Sequence, residues 1–205
     1  MWIKICGMTS AAAVSTALAA GVDAIGFVFA SSPRRLTPRA AAALARPVRG
    51  RLPCIAVTRH PAQAAVDEIV ADFAPDLLQT DSADFERLRL PAELGRLPVM
   101  RAGEKLPAVL PARILFEGPA SGTGTVSDWN AARALAARTE LVLAGGLNAG
   151  NVAAALSAVR PFGVDVSSGV ETQPGVKSPA EIVRFVTAVR AAARASASFS
   201  SEGSA

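Results

Sequence analysis

Short β-rich runs alternate with alanine-rich segments of helical length along almost the whole chain. The runs are WIKIC (2–6), AIGFVF (24–29), PCIAV (53–57), DLLQ (76–79), PVMRA (98–102), RILFE (113–117), ELVLA (140–144) and GVDVS (163–167). Strands that alternate with helices indicate βα units and a parallel sheet. The eight runs therefore predict a closed (β/α)8 TIM barrel, and an open doubly wound sheet is the alternative.

The segments between the runs complete the predicted barrel. Helices are expected over 10–20, 38–46, 61–72, 82–89, 128–138, 148–159 and 179–194. The fifth connection, 103–112, contains two prolines and is predicted to be a degenerate fifth helix. At 205 residues the barrel is compact, with a single domain over 1–194. The small, polar residues 195–205 are expected to form a flexible tail.

Composition excludes several classes of function. The net charge of +4 is scattered, without a basic run interleaved with aromatics, so a nucleic-acid partner is not expected. No apolar stretch is long enough to cross a membrane, and the first residues lack the pattern of a signal peptide. The chain has two cysteines, far apart in sequence, and one histidine, so neither a disulfide framework nor a metal site is expected. A cytoplasmic protein is the expectation.

The distinctive residues of the chain follow the predicted strands, so a barrel would gather them at one mouth. Gly145 and Gly146 follow the seventh strand, and Asn148 can cap the helix after them. The sequence SSG (167–169) follows the eighth strand. Phosphate sites in barrels often lie after these two strands, where backbone N–H groups can approach an anion closely. Together the two loops predict a phosphate site, although Gly145 and Gly146 alone could simply form a tight turn.

Two residues are candidates for acid–base chemistry. Cys6 ends the first strand, and a cation such as Lys4 or Arg34 could lower its pKa enough to make it a base. Asp128 follows the glycine-rich sequence SGTGT (121–125) at the start of a helix. A helix N-cap alone would account for this aspartate, whereas a role as an acid requires a raised pKa. Cys54, within the apolar third run, is expected to be an inert buried residue.

Five segments together resemble phosphoribosylanthranilate isomerases of tryptophan biosynthesis. They are KICGMT (4–9), GVDAIGFVFASSPR (21–34), SGTGTVSDW (121–129), LAGGLNAGNV (143–152) and RPFGVDVSSGVETQPGVKSP (160–179), and they occur in the order of that family. The resemblance implies a (β/α)8 barrel that converts N-(5′-phosphoribosyl)anthranilate into 1-(o-carboxyphenylamino)-1-deoxyribulose 5-phosphate. This Amadori rearrangement needs no cofactor in the family, whose members occur as monomers and dimers.

The resemblance also implies roles for individual residues. Cys6 corresponds to the general base and Asp128 to the general acid. Arg34 corresponds to an arginine that contacts the anthranilate moiety, although the adjacent Arg35 is an alternative. Asp165 occupies a position of the family motif VDVSSG and is expected, like Arg34, to bind the substrate. The phosphate-binding residues implied by the family are Gly145, Gly146, Ser167, Ser168 and Gly169.

The chain departs from the family pattern at two strand ends. Asp81 stands where a histidine is common, and Glu117 stands where an aspartate is frequent. Two other functions remain open. A histidine-pathway sugar-phosphate isomerase would have an aspartate in place of Cys6 and a second phosphate loop in the first half of the chain. A catalytically silent barrel that binds a phosphorylated metabolite would need the loops but not Cys6 and Asp128 together.

Overall fold

Eight parallel strands close into a barrel in the computed structural model, which describes residues 1–104, 106–118 and 127–202, with the backbone alone over 196–202. Each strand pairs with the next along the chain, and the eighth pairs with the first. The strands are β1 (Trp2–Cys6), β2 (Ala24–Val28), β3 (Cys54–Val57), β4 (Leu77–Asp81), β5 (Gly95–Arg101), β6 (Arg113–Glu117), β7 (Glu140–Leu143) and β8 (Gly163–Val166). The predicted barrel is confirmed.

In the described part of the chain, an α-helix follows every strand of the barrel except β4 and β5. Among the described residues these helices are α1 (Ala11–Ala19), α2 (Pro38–Ala45), α3 (Gln63–Phe73), α4 (Trp129–Ala136), α5 (Val152–Val159) and α6 (Pro179–Glu202). The described residues of the fifth connection, 103–112, contain no helix, in line with the prolines there. None of the helices in these ranges combines the length and apolarity that crossing a membrane requires.

The prediction of an α-helix after β4 is wrong. Ser82–Glu86 form a 3-10 helix instead of an α-helix over 82–89. The reason is the buried carboxylate of Asp84, which accepts hydrogen bonds from the Thr80 hydroxyl at 2.6 Å and from the backbone N–H of His60 at 3.0 Å. Side-chain bonds of this kind compete with helix formation.

Two other helix ends differ from the predictions. Asn148 is not the N-cap of α5. Asn151 occupies the N-cap position, and the side-chain amide oxygen of Asn148 accepts a hydrogen bond from the N–H of Gly150 at 2.8 Å. Helix α6 continues to Glu202, beyond the predicted end at 194, in a stretch rich in alanine and serine. Alanine favours the helical state, which accounts for the continuation. A short hairpin, β9 (Glu171–Gln173) and β10 (Val176–Lys177), precedes this helix.

The inside of the barrel changes from apolar to polar along the strands. The buried apolar residues that fill the interior are Ala24, Ile55, Leu97, Val99, Leu115, Val142 and Ala144. Polar side chains follow towards the carboxyl ends of the strands, where Gln79, Asp81 and Arg101 are buried. The apolar layers stabilise the barrel, and the polar end leaves side chains available to a ligand.

Candidate active site

A cavity of about 700 Å³ opens at the carboxyl ends of the strands. This volume suits a ligand of the size of a phosphorylated metabolite. The predicted site residues that line the cavity are Cys6, Arg34, Gly145, Gly146, Asp165, Ser167 and Ser168. Gly169 and Asp128 are not among the lining residues. The barrel thus gathers residues from both ends of the sequence around one space.

Cys6 lies at the end of β1, 7% exposed, with its thiol at the cavity. Burial raises the pKa of the Cys6 thiol, although the nearby ammonium groups of Lys4 and Lys177 act in the opposite direction. The cations thus act in the expected direction, but the expected net lowering of the pKa is wrong, because removal of the thiolate from water outweighs their attraction. Gly26 leaves room beside the thiol: a Cβ atom there would stand 3.2 Å from the Cys6 sulfur.

A buried ion pair lies beside the thiol. Lys4 is fully buried, and its Nζ donates a hydrogen bond to Asp165 Oδ1 at 2.9 Å. Although burial disfavours its ammonium form, the Asp165 carboxylate holds the pKa of Lys4 above its ordinary value. Lys4 and Asp165 face each other in the register between β1 and β8. The pair therefore joins the first strand of the barrel to the last.

The loop after β7 has a backbone that favours glycine. Gly145 and Gly146 have φ angles of 93° and 64°, in the left-handed region that other residues rarely adopt. Asn151 stabilises the loop, since its side-chain amide donates to the carbonyl of Gly146 at 2.8 Å. Both glycines line the cavity, so a ligand can approach their backbone closely.

The loop after β8 packs directly on the loop after β7. A Cβ atom on Gly169 would lie only 1.9 Å from the carbonyl oxygen of Leu147. Gly169 therefore acts at the contact between the two loops, while Ser167 and Ser168 line the cavity. The hydroxyl of Ser167 donates to the carbonyl of Cys6 at 3.1 Å, which links this loop to the end of β1.

Arg34 is the arginine that faces the cavity. It is 8% exposed, whereas the neighbouring Arg35 is exposed and does not line the cavity. Its Nε and Nη2 groups donate to the two carboxylate oxygens of Glu171, each at 2.7 Å. The same carboxylate accepts from the buried Lys177 ammonium at 2.5 Å. Of the two alternatives, Arg34 is therefore the one placed to meet a ligand.

Asp128 is exposed at the N-cap of α4. Its carboxylate accepts hydrogen bonds from the backbone N–H groups of Asn130 and Ala131 at 2.9 and 3.1 Å. The capping role considered for this aspartate is thus realised. Most of the preceding glycine-rich loop, residues 119–126 with Gly122 and Gly124, lies outside the described part of the chain.

The two departures from the family pattern meet in a second cluster of charges. Asp81 and Glu117 both form ion pairs with the buried Arg101, whose Nη2 lies 3.0 Å from Glu117 Oε1. The chain's one histidine, His60, comes from the loop after β3 and places Nε2 3.0 Å from Asp81 Oδ2. An imidazole therefore reaches this region from a neighbouring loop.

This cluster also contains the residues that come closest to a metal-binding group in the described part of the chain. Ligand atoms of His60, Asp81 and Asp84 lie within 4.8 Å of one another. However, the carboxylates contact different ring nitrogens, Nε2 for Asp81 and Nδ1 for Asp84. One cation could not use both nitrogens. Arg101 and Arg87 already neutralise the same carboxylates, so the cluster fits an ion-pair network better than a metal site.

Sequence reasoning missed the parts played by Gln79, Glu171 and Lys177, and it missed that Lys4 pairs with Asp165. A signal was present for the pair of Lys4 and Asp165. Barrel closure makes β1 and β8 neighbours, and at an inward position WIKIC carries one positive charge and GVDV one negative charge. Gln79 lines the cavity from β4. Glu171 and Lys177 belong to a loop whose folding cannot be read from local pattern.

The closed barrel and the polar cavity at the carboxyl ends of its strands define an enzyme of the (β/α)8 class. The family described as N-(5′-phosphoribosyl)anthranilate (PRA) isomerase matches residues 3–188. The chain therefore belongs to the PRA isomerase family, an isomerase of tryptophan biosynthesis. The predicted family, fold and enzyme class are confirmed.

Relatives and solved structures agree with this membership. The PRA isomerase of Azorhizobium caulinodans is 45% identical over 95% of this chain and 93% of its own length. That of Mesorhizobium japonicum is 40% identical, over 93% and 95%. The TrpF structure from Jonesia denitrificans is 34% identical with a TM-score of 0.76, covering 94% of this chain and 98% of its own. The Thermus thermophilus enzyme is 25% identical with a TM-score of 0.81, over 93% and 99%.

Proposed function

We propose that the cavity at the barrel mouth carries out the Amadori rearrangement of PRA with Cys6 as general base and Asp128 as general acid. The observation that carries the proposal is the position of the Cys6 thiol, which lines the same cavity as the glycines of the loop after β7 and the serines of the loop after β8. A base and a grip for an anion thus share one space, as a phosphorylated sugar substrate requires.

The reaction needs an acid and a base at one sugar. Protonation of the ribose ring oxygen allows the anilino nitrogen to open the ring to an iminium ion. The iminium makes the proton on C2′ acidic, a base removes it, and the enolamine then tautomerises to the ketone. Positioned acids and bases each contribute roughly 10²- to 10⁴-fold to such a reaction.

The surroundings of Cys6 favour a strong base. Burial raises the pKa of its thiol, so the thiolate binds a proton tightly once it forms. Lys4 and Lys177 partly compensate the loss of hydration, and they would stabilise the thiolate during the reaction. The cost is a small thiolate population at neutral pH, a compromise that is common for catalytic bases.

The phosphate and the anthranilate would hold the sugar from two sides. The phosphate is assigned to Gly145, Gly146, Ser167 and Ser168, with Gly169 keeping the two loops in contact. The anthranilate carboxylate is assigned to Arg34, whose Nη1 edge takes no part in the two bonds to Glu171. Asp165 would act on Cys6 in two ways, by holding Lys4 and through its own charge, which raises the pKa of the thiol. Positioning of this kind converts binding energy into rate.

Asp128 is proposed as the acid because it is the N-cap of α4, the helix that follows the sixth strand, at the end of the barrel where the reactive groups of such folds lie. A similar solved structure supports a phosphorylated ligand for this chain. It is a PRA isomerase in complex with reduced 1-(o-carboxyphenylamino)-1-deoxyribulose 5-phosphate, and it is 25% identical to this chain with a TM-score of 0.74. The enzyme is proposed to be cytoplasmic, a monomer or homodimer, and independent of a cofactor.

Paired cysteine variants test the base. Cys6→Ala should fail to rescue a tryptophan auxotroph that lacks this isomerase, whereas Cys54→Ala, at a buried cysteine outside the cavity, should rescue it. Purified Cys6→Ala should lose turnover by 10²-fold or more. Wild-type turnover by Cys6→Ala would remove the thiol from the mechanism.

A further inference from the structure

Glu171 joins two cations that come from different elements. Its carboxylate accepts two bonds from the Arg34 guanidinium at 2.7 Å and one from the Lys177 ammonium at 2.5 Å. Arg34 belongs to the loop after β2. Glu171 is the first residue of β9, and Lys177 lies in β10, the strand that pairs with β9. A single carboxylate therefore fixes the loop after β2 to the loop after β8.

The three side chains are held away from water. The exposed fractions of the Arg34, Glu171 and Lys177 side chains are 9%, 4% and 0%. Burial alone would raise the pKa of Glu171, but the hydrogen bonds from Arg34 and Lys177 hold it below its ordinary value. Charge-assisted bidentate pairs of this kind fix both the place and the plane of a guanidinium.

The rest of Arg34 has little freedom. A Cβ atom on Gly7 would lie 2.5 Å from Arg34 Cδ, so the aliphatic part of Arg34 passes directly over the turn after Cys6. The guanidinium is thereby set at the cavity, with Glu171 on one edge. Without the carboxylate, nothing else among the hydrogen bonds of the described residues would orient this side chain.

We infer that Glu171 is a positioning residue that aims Arg34 at the carboxylate of the substrate and, through Lys177, couples this contact to the phosphate loop. The inference rests on the proposed role of Arg34. Lys177 provides the coupling, because its ammonium donates to the carbonyl and the hydroxyl of Ser167 at 3.0 and 3.2 Å. Glu171 itself needs no contact with the ligand.

Two ligands separate this role from a general structural one. Reduced 1-(o-carboxyphenylamino)-1-deoxyribulose 5-phosphate carries both the phosphate and the aromatic carboxylate, whereas inorganic phosphate probes the phosphate loop alone. Glu171→Asp keeps the charge but is one methylene too short for the bidentate bond. We expect it to weaken inhibition by the reduced product analogue at least 10-fold and inhibition by phosphate less than 3-fold. For the substrate, KM should rise more than kcat falls.

A double-mutant cycle tests whether Glu171 acts through Arg34. In an Arg34→Met background, Glu171→Asp should weaken binding of the product analogue by less than 3-fold, which is the part transmitted through Lys177 to the phosphate loop. Glu181→Gln, at an exposed ion pair with Arg184, serves as the control and should bind both ligands as the wild type does. Melting temperature and circular dichroism of each variant identify any that fail to fold. Glu171→Gln, which is isosteric but uncharged, provides a second variant and should weaken binding of the analogue in the same way.

Several outcomes would overturn the inference. They are unchanged or tighter binding of the product analogue by a folded Glu171→Asp, an equal loss for both ligands, or a loss of 3-fold or more when Glu171→Asp is added to Arg34→Met. Tighter binding by Glu171→Gln would mean that Glu171 only neutralises charge. Failure of the wild type to bind the analogue would instead contradict the proposed function, and the inference with it.

Discussion

The ammonium of Lys4 and the carboxylate of Asp165 form a buried ion pair, 2.9 Å between Nζ and Oδ1, that joins β1 to β8 where the barrel closes. Lys4 is fully buried, and the same ammonium acts on the thiol of Cys6. The pair therefore serves both the closure of the barrel and the electrostatics of the cavity.

Breaking this pair should cost more stability than removing it. Lys4→Met leaves an unpaired buried carboxylate and should lower the free energy of unfolding by about 3–5 kcal/mol. Asp165→Leu should have a similar effect, while the double variant should lose less than the sum of the two. Denaturant unfolding of the three variants measures the coupling. Additive losses would mean that the two charges do not stabilise each other.

The pH dependence of turnover should follow the protonation of Cys6. Because burial raises the pKa of this thiol, the free enzyme holds it protonated at neutral pH, and its thiolate fraction increases as the pH rises. In Asp128→Asn, where no carboxylic acid has to remain protonated, we therefore expect the residual kcat/KM to increase by up to about 10-fold per pH unit through the neutral and weakly alkaline range. A profile that stays flat from pH 6 to about 9 would contradict this.

Alkylation by iodoacetamide provides an independent measure of the same pKa. The alkylation rate at Cys6 should rise with pH in parallel with the residual kcat/KM of Asp128→Asn, because both depend on the thiolate. Cys54 serves as the internal comparison, since burial raises its pKa to about 11 and it lies outside the cavity. Mass spectrometry assigns the modified cysteine.

Asp128→Asn should separate chemistry from helix capping. Asparagine caps a helix about as well as aspartate does, so the variant should keep its melting temperature. It cannot donate the proton, and turnover should fall about 10²-fold or more. Thr37→Ala removes the equivalent cap of α2, where the hydroxyl accepts from the N–H of Ala40, and should cost about 1 kcal/mol of stability without loss of turnover. Near-normal turnover of Asp128→Asn would leave this residue with capping alone.

Inorganic phosphate should inhibit competitively, and Gly169→Ala should weaken that inhibition. The added methyl group would lie 1.9 Å from the carbonyl oxygen of Leu147, so the loops after β7 and β8 would have to move apart. Gly21→Ala is the matched control, because a Cβ atom there has no neighbour within 4 Å, although its φ of 73° also disfavours alanine. Equal inhibition of wild type and Gly169→Ala would argue against these loops as the phosphate site.

Local patterns predicted the elements well and the connections less well. The apolar runs and the pair Thr37-Pro38 are local signals, carried by residues that are neighbours in the chain. The runs form β1 to β8, and Thr37 caps α2 as expected. The helix predicted over 82–89 failed because Asp84 is bound by Thr80 and by the backbone of His60, which comes from another loop. Contacts of that kind carry no local signature.

The sequence by itself determined the barrel and the strand ends at which reactive residues stand, because hydrophobic period, proline and glycine act over a few neighbouring positions. The tertiary structure decided the electrostatics. Lys4 meets Asp165 across 161 positions, and Arg34 meets Glu171 across 137. It also decided that the pKa of Cys6 rises, because desolvation depends on what surrounds the thiol in space. Charges act through distance and exclusion of water, and both exist only once the chain has folded.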